Sequence, residues 1–300
     1  MKASPFTFSL FLALPASAAV TIDYVPVGNA GNAADTTGYG AVAYEYQIGK
    51  YEVTNTQYAD FLNTKATTDS YSLYNANMSD YGIIQSGASG SYTYSVTSGL
   101  EQRPVVYVSW FDAARFSNWL ANGQGSGDTE TGSYTLNGAT SGMIAPNEGA
   151  TIRLPSEDEW YKAAYYNGTT STYSDYANGK DTITLAEANI HWNSGGSFDR
   201  STDVGYYDNV SSAYGTYDQT GNVRELFDRD DEFSQGERGG AFNSTYVFAP
   251  ATFSSNVSPA AEARSTGFRV ASVSAVPEPA SWLSTAGLLG CAVMFRRRKL

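Results

Sequence analysis

The chain has 300 residues, of which 30 are acidic and 18 are Lys or Arg, with one histidine and one cysteine. Cys291 lies within ten residues of the C-terminus, so we expect no disulfide scaffold, Cys-ligated zinc, iron–sulfur cluster or cysteine nucleophile in the body. The single His191 excludes a cluster of imidazoles around a transition metal. A formal net charge of -12 argues against a nucleic-acid partner, because an acidic surface repels the phosphate backbone.

Residues 1–19 have the pattern of a secretory signal peptide. A cation near the start is followed by a mainly apolar stretch, Phe6 to Leu14, and then by the small residues Ala16-Ser17-Ala18. We expect cleavage near Ala18 or Ala19, and therefore export of the protein. The alternative is that this stretch is a buried strand or helix at the start of the fold.

Three segments have the spacing of amphipathic helices, and each starts with a capping residue. They are Thr54 to Leu62, Ser109 to Leu120, and Pro155 to Ala164. In each segment a Ser or Thr stands three positions before a Gln, Asp or Glu, which is the pattern of a capping box. The sequence thus predicts where these helices begin.

Strand-like runs alternate with long polar stretches in the rest of the body. The runs are Val42 to Val53, Pro104 to Val108, Thr151 to Leu154, and Phe268 to Val273. Gly, Ser and Thr dominate residues 63–103 and 121–150, which we interpret as long surface insertions. Residues 20–275 are short enough to bury a single core, so we expect one domain.

Several acidic and hydroxyl residues could suggest a hydrolase, but their contexts favour structural roles. Glu157 and Glu159 fit the cap of a helix, and the run Asp228 to Glu232 fits a solvated acidic loop rather than a glycosidase pair. No G-x-S-x-G elbow is present in the sequence. We interpret His191 as a packed or hydrogen-bonded residue rather than a general base.

The C-terminal segment, residues 276–300, has three parts. Pro277-Glu278-Pro279 precedes an uncharged stretch, Trp282 to Phe295, and a basic cluster follows it. Fourteen residues span roughly 21 Å as a helix, which is short of the roughly 30 Å hydrocarbon core. The segment resembles a PEP-CTERM sorting signal, and the alternative is an ordinary C-terminal membrane anchor. The resemblance implies a Gram-negative bacterium that produces exopolysaccharide, transient membrane association, and cleavage by an exosortase-type protease.

Six blocks of the body occur in the order of a known family. They are Tyr46 to Tyr58, Pro104 to Trp110, Arg153 to Trp160, Tyr214 to Leu226, Arg238 to Phe242, and Gly267 to Val270. These blocks resemble the formylglycine-generating-enzyme (sulfatase-modifying factor) family. The resemblance implies a mixed α+β fold of the C-type-lectin-like kind, low in regular secondary structure and forming a single domain.

The family's oxidase activity depends on two cysteines that follow its R-G-G-S segment. The matching positions here hold Ser244 and Ala249, and neither side chain can form the thiolate that binds copper(I). We therefore expect no copper and no assigned catalytic residue. Two alternatives stay open, namely an enzyme of the same fold with a different chemistry, and residual formylglycine-type oxidation.

The resemblance also implies calcium sites. The matching positions of one site are the Asp218 and Glu225 side chains and the carbonyls of Gly221 and Val223, and these hard oxygen donors suit Ca²⁺. Arg224 stands where the family usually has Trp, so we expect it to compete for Glu225. A second site begins at Asn189 and Ile190, and Asp199 or Asp203 could complete it.

Together these observations favour an exported, non-catalytic binding or structural module at the cell surface, in the periplasm or in the extracellular matrix. Besides the export machinery and the protease, the expected partners are envelope polysaccharide or peptide. A lectin-like scaffold rich in Tyr, Trp, Asn and Gly suits such contacts.

Overall fold

The computed structural model describes residues 19–190, 200–229 and 235–273. Most of the predicted signal peptide, His191, Asp199 and the C-terminal segment with Pro277-Glu278-Pro279 lie outside these ranges, so the interpretations that concern them stay predictions. Within the described ranges no helix is long and apolar enough to cross a membrane.

The described residues form three α-helices, and each begins directly after the capping residue that the sequence predicts. Helix α1 spans Asn55–Lys65, α2 spans Trp110–Ala121 and α3 spans Glu157–Tyr165. The hydroxyls of Thr54, Ser109 and Ser156 accept from the backbone N–H of the third helical residue, whose own side chain accepts from the cap. Such a cap contributes about 1 kcal/mol and needs no tertiary partner.

The strands are short and numerous. In the described ranges they are β1 (Tyr24–Val27), β2 (Tyr46–Gly49), β3 (Ile83–Ser86), β4 (Thr93–Val96), β5 (Ile152–Arg153), β6 (Tyr166–Asn167), β7 (Thr172–Tyr173), β8 (Arg224–Phe227), β9 (Gln235–Arg238), β10 (Ser255–Val257), β11 (Thr266–Phe268) and β12 (Ala271–Ser272). Two 3₁₀-helices cover Ala76–Asp80 and Tyr246–Phe248. The result is a mixed α+β fold that is low in regular secondary structure.

The described residues contain two four-stranded sheets and two two-stranded sheets. The first has the order β1-β2-β12-β5 and is antiparallel throughout, with Ala271 opposite both Ile48 and Arg153. The second has the order β10-β9-β8-β11, in which β11 runs parallel to β8. Strands β3 and β4 pair with each other, as do β6 and β7. Because β11 and β12 follow each other closely along the chain, they connect the two four-stranded sheets.

The predicted strands are mostly longer than the observed ones. Pro104 to Val108 contains no strand, and Pro104 forms only an isolated bridge with Thr54. The backbone N–H of Val105 donates to Val53, whereas that of Tyr107 donates to Ala263. A run whose successive bonds go to different segments cannot extend a ladder.

Aromatic residues of α1 and α2 pack together in the main hydrophobic core. Phe61 and Phe116 meet edge to face with ring centroids 5.4 Å apart, and Trp119 lies 5.3 Å from Phe61. Phe268 of β11 contacts Phe116 at 5.4 Å, so the second sheet packs against the two helices. Such ring pairs add about 0.5–1.5 kcal/mol each beyond the area that they bury.

The interpretation of residues 63–103 and 121–150 as surface insertions is wrong in part. Met78, Ile83, Tyr94 and Tyr134 are all buried members of the main core. Their apolar side chains are too widely spaced along a Gly- and Ser-rich sequence to give a periodic signal. These segments therefore complete the core as well as covering it.

Candidate functional site

The turn between residues 218 and 225 brings the two predicted calcium segments together. Asp218, Gly221 and Asn222 all have left-handed backbone conformations, with φ of 64°, 92° and 56°. A Cβ at Gly221 would lie 2.6 Å from the carbonyl oxygen of Asn189, so only glycine fits. The Asn222 N–H donates to that same oxygen at 2.9 Å. The sequence predicted both segments but not their contact.

Two more carboxylates lie beside this turn, those of the buried Glu52 and the half-buried Asp218. Asp218 accepts from the Gly205 N–H at 2.5 Å, and burial raises the pKa of Asp218 to about 6. Glu52 is 2% exposed, and its Oε1 accepts from Asn222 Nδ2 at 2.9 Å. Its Oε2 is buried and has no hydrogen-bond partner among the residues that the structure describes. Burial, followed by the nearby Asp218 and Glu225, raises the pKa of Glu52 well above its usual range.

Glu225 is held by a fully buried ion pair. Arg269 Nε donates to its Oε2 at 2.5 Å and Arg269 Nη2 donates to its Oε1 at 2.6 Å, and both side chains are 0% exposed. Trp160 of α3 also donates to Oε2, at 2.7 Å. The remaining donors of Arg269 reach the carbonyls of Gly49 and Tyr217, each at 2.8 Å. Sequence reasoning missed Arg269 and Glu52, because neither one's partner is near it along the chain.

The expectation that Arg224 competes for Glu225 is wrong. The Arg224 guanidinium donates instead to Glu237 at 3.2 Å and to Ser244 Oγ at 3.1 Å. Adjacent residues of a strand point to opposite faces, so Arg224 and Glu225 of β8 cannot share a partner on one face.

In the Asn189–Ile190 segment, the side-chain oxygen of Asn189 lacks a donor among the described residues. Asn189 Nδ2 donates to the Arg200 carbonyl at 3.0 Å, whereas Asn189 Oδ1 is buried and has no partner in residues 19–190, 200–229 and 235–273. Ile190 is fully buried. Asp203 Oδ1 lies 3.9 Å from Arg103 Nε, and about half of the Asp203 side chain is exposed. A buried amide oxygen without a donor is a suitable ligand for a hard cation.

Residues 244–249 form a loop whose two ends, Ser244 and Ala249, are both buried, and we call it the closed loop. Ser244 is 2% exposed, its N–H donates to the Ala241 carbonyl at 2.8 Å, and its Oγ accepts from Arg224. Ala249 is 0% exposed and packs with Ala188 and Ile190. Between them, the 3₁₀-helix Tyr246–Phe248 places apolar side chains on the surface.

Asp228 contradicts the interpretation of residues 228–232 as a solvated acidic loop. It is 7% exposed and accepts from Trp110 Nε1 at 2.9 Å and from the Tyr134 hydroxyl at 2.7 Å. Burial raises the pKa of Asp228 to about 7. Residues 230–232 lie outside the described ranges, so the prediction for them is untested.

The acidic pair of α3 has the predicted structural role. Glu159 closes the Ser156 capping box and pairs with Arg153 at 2.7 Å. Glu157 pairs with Arg238 at 2.7 Å. Both carboxylates form ion pairs with arginines inside the fold, which is a structural role for each.

The fold and these buried networks define a C-type-lectin-like domain of the formylglycine-generating-enzyme type. Residues 25–273 match the family described as "Sulfatase-modifying factor enzyme 1-like domain", and the chain belongs to this family. The family resemblance of the sequence blocks is thereby confirmed.

Solved structures agree with this fold. The chain is similar to the crystal structure of CarF (TM-score 0.57, 19% identity, 85% of this chain and 99% of that chain). It is also similar to Treponema denticola variable protein 1 (TM-score 0.55, 18% identity, 84% and 95% of the two chains). PvdO from Pseudomonas aeruginosa gives a TM-score of 0.48 at 17% identity, over 84% and 94% of the chains. The similarities to CarF and to the Treponema denticola protein show a shared fold and nothing about activity. No curated protein matches the sequence.

Replacing Arg269 by Met should destabilise the protein strongly. The change leaves the Glu225 carboxylate buried without its cation, and breaking such a pair lowers the free energy of unfolding by about 3–5 kcal/mol. Chemical denaturation measures this loss. Lys180→Met, which breaks an exposed pair with Glu187, is the control and should change stability by less than about 1 kcal/mol. Equal losses in the two variants would contradict the role of Arg269.

Asp228 should make stability fall as the pH rises. Its pKa is about 7 in the folded protein against 3.8 ordinarily, so between these values the folded state holds a proton that the unfolded chain releases. The free energy of unfolding should thus decrease from pH 4 to pH 8, with Asp228 contributing up to about 4 kcal/mol.

Asp228→Asn cannot ionise and should flatten this pH dependence in denaturation curves taken across the range. The exposed Glu148→Gln should leave the dependence as it is in the wild type. If Asp228→Asn has the same slope as the wild type, Asp228 is already ionised in the folded protein.

Proposed function

We propose that the protein is an exported, non-catalytic binding or structural member of the family. The proposal is supported chiefly by the state of Ser244 and Ala249, the positions to which the family resemblance assigns the two cysteines. Ser244 is buried and bonded to Arg224, and Ala249 is packed in a small core cluster. Neither position supplies a thiolate for copper(I) or for redox chemistry.

A surface for a partner adjoins this closed loop. Tyr246, Val247 and Phe248 are 36%, 50% and 39% exposed, and three neighbouring apolar residues at the surface favour contact with another molecule. Aromatic faces suit the apolar faces of sugar rings and of peptide side chains. The proposed partners are accordingly envelope polysaccharide or peptide.

Export is supported by the way in which the fold begins. Val20 is 9% exposed, its N–H donates to the Gln124 side chain at 2.6 Å, and its carbonyl accepts from the same amide at 2.7 Å. Val20, directly after the predicted cleavage site at Ala18 or Ala19, is therefore packed into the described body. We propose delivery to the cell surface, periplasm or extracellular matrix, with exosortase-type processing of residues 276–300.

Purified protein should consume no oxygen with a cysteine-containing sulfatase peptide and copper, and it should bind envelope polysaccharide or peptide. Tyr246→Ala with Phe248→Ala should weaken that binding about thirtyfold, since each buried aromatic contact contributes roughly 1 kcal/mol. Ile84→Ala, which removes an exposed apolar residue elsewhere, is the matched control. Copper-dependent oxygen uptake would instead support the residual oxidase, and an absence of binding would overturn the binding module.

The proposal includes calcium as a structural ion. In the described ranges, no group of three or more His, Cys, Asp or Glu side chains could hold a metal ion. The predicted set instead combines the carboxylates of Asp218 and Glu225 with the carbonyls of Gly221 and Val223. The buried Glu52 and Glu225 and the half-buried Asp218 lie around the Arg269 guanidinium, and a divalent cation suits this charge pattern. At the second site, Asn189 Oδ1 and the Ile190 carbonyl are the proposed ligands.

Calcium should raise the melting temperature, and a chelator should lower it. At calcium a hundredfold above its dissociation constant, the gain is about 2.7 kcal/mol. Asp218→Asn should lose most of this response, whereas the exposed Asp208→Asn should keep it. An identical melting curve with calcium and with chelator would rule out a structural calcium ion.

A further inference from the structure

One carboxylate oxygen of Glu52 is buried with no donor among the described residues. Glu52 is 2% exposed, and its Oε1 accepts from Asn222 Nδ2 at 2.9 Å. Its Oε2 is the only buried carboxylate oxygen in the described ranges that accepts no hydrogen bond. Burying such an oxygen is costly, because it loses water and gains no donor in return. The oxygen therefore indicates a bound ion or water.

Glu225, the carboxylate that the family resemblance assigns to calcium, is already engaged. Arg269 donates to its two oxygens at 2.5 and 2.6 Å, and Trp160 donates to Oε2 at 2.7 Å. A metal ion on Glu225 would have to share the carboxylate with a guanidinium, and the two positive charges would repel each other. The buried ion pair thus favours a different carboxylate as the calcium ligand.

The charges that remain match a divalent ion. Arg269 and Glu225 neutralise each other, whereas Glu52 and Asp218 form no ion pair with a described Lys or Arg. Two carboxylates withdrawn from bulk water need two positive charges to balance them. Calcium supplies both charges, and it prefers a mixture of carboxylate, carbonyl and water oxygens.

Glu52 and Asp218 belong to chain segments that lie side by side. The Tyr217 N–H donates to the Lys50 carbonyl at 2.9 Å. Asp218 follows directly after this contact on one segment, and Glu52 follows two residues after it on the other. Asn222, four residues after Asp218 in the same turn, donates to Glu52. The turn that carries Asp218 is therefore bonded to the Glu52 side chain.

A cavity beside Glu52 gives access from solvent. Its volume is about 390 Å³, and Glu52 lines it together with Val204 and the exposed Gln102. Val204 precedes Gly205, whose N–H donates to Asp218 at 2.5 Å. The cavity thus adjoins both carboxylates. It provides an entry path for an ion and room for the water ligands that calcium keeps.

We propose that Glu52 replaces Glu225 as a carboxylate ligand of the calcium ion in this chain. Glu52 and Asp218 then supply the two carboxylates, and the predicted carbonyls of Gly221 and Val223 and water from the cavity supply the other oxygens. The Glu225 carboxylate keeps its buried ion pair and contacts no metal. This inference rests on the calcium ion of the proposed function and changes one member of its ligand set.

Calorimetric titration of the full chain in detergent with calcium chloride tests the assignment. Glu52→Gln keeps a carbonyl oxygen that accepts from Asn222 but removes the charge. It should weaken calcium binding at least about a hundredfold, which exceeds the loss typical of a residue that only orients a ligand. The matched control is Glu45→Gln, an exposed residue whose replacement should leave the affinity within about twofold. A smaller loss in Glu52→Gln would place Glu52 outside the ligand set and overturn the proposal.

Thermal melting gives a second measurement whose sign depends on the metal. In chelator, Glu52→Gln should melt at least as high as the wild type, because the change removes an unpaired buried charge. In calcium the order should reverse, since the wild type gains more from the ion. If the wild type melts higher in both buffers, Glu52 has a structural role alone and the proposal is overturned.

These measurements separate the ligand assignment from the proposed function. A wild-type chain that binds no calcium would overturn both the structural calcium ion and the assignment of Glu52. A wild type that binds calcium with the same affinity as Glu52→Gln would overturn the assignment alone. Neither result bears on oxygen uptake or on the binding of polysaccharide.

Discussion

The structure depends on one buried ion pair, between Arg269 and Glu225. A guanidinium without access to water must have its charge balanced and its N–H groups bonded, because each omission has a large desolvation cost. Arg269 meets this demand with Glu225 of β8 and with carbonyls of residues that flank the first sheet and the 218–225 turn. Trp160 of α3 donates to the same carboxylate, so this helix is also tied to the ion pair. One charge pair thus fixes the relative positions of both sheets, the turn and a helix.

Similar networks explain how a fold with so little regular secondary structure has a defined shape. Asp228 holds Trp110 of α2 and Tyr134 of the 121–150 segment, although the two lie far apart along the chain. Glu157 holds Arg238 of β9, and the Arg238 guanidinium also lies over the rings of Tyr39 and Tyr161. Buried polar groups accept few geometries, so each network selects one arrangement of the loops that it joins.

The closed loop around Ser244 gives the proposed function its structural basis. Arg224 bridges Glu237 and Ser244, so a hydrogen-bonded polar network fills the place where the family resemblance puts a reactive thiol. The loop then turns outward and exposes the apolar side chains of Tyr246–Phe248. An exposed apolar ridge above a buried polar network is a surface on which the proposed partner contact is made.

The sequence by itself determined the features whose physics is local or whose motifs are contiguous. Thr54, Ser109 and Ser156 start helices because a cap and its third helical residue are close along the chain whatever the rest does. The six sequence blocks likewise indicated the family and the fold, and the family match confirms them.

Only the tertiary structure decided which charges are buried and with what partners. Glu225 meets Arg269 rather than its neighbour Arg224, because alternate residues of a strand face opposite sides. Asp228 is enclosed by residues from two distant segments, so its buried state has no signal in its own sequence surroundings. Packing between distant segments sets the local dielectric and the partner of every buried charge, and a linear sequence does not show which segments will meet.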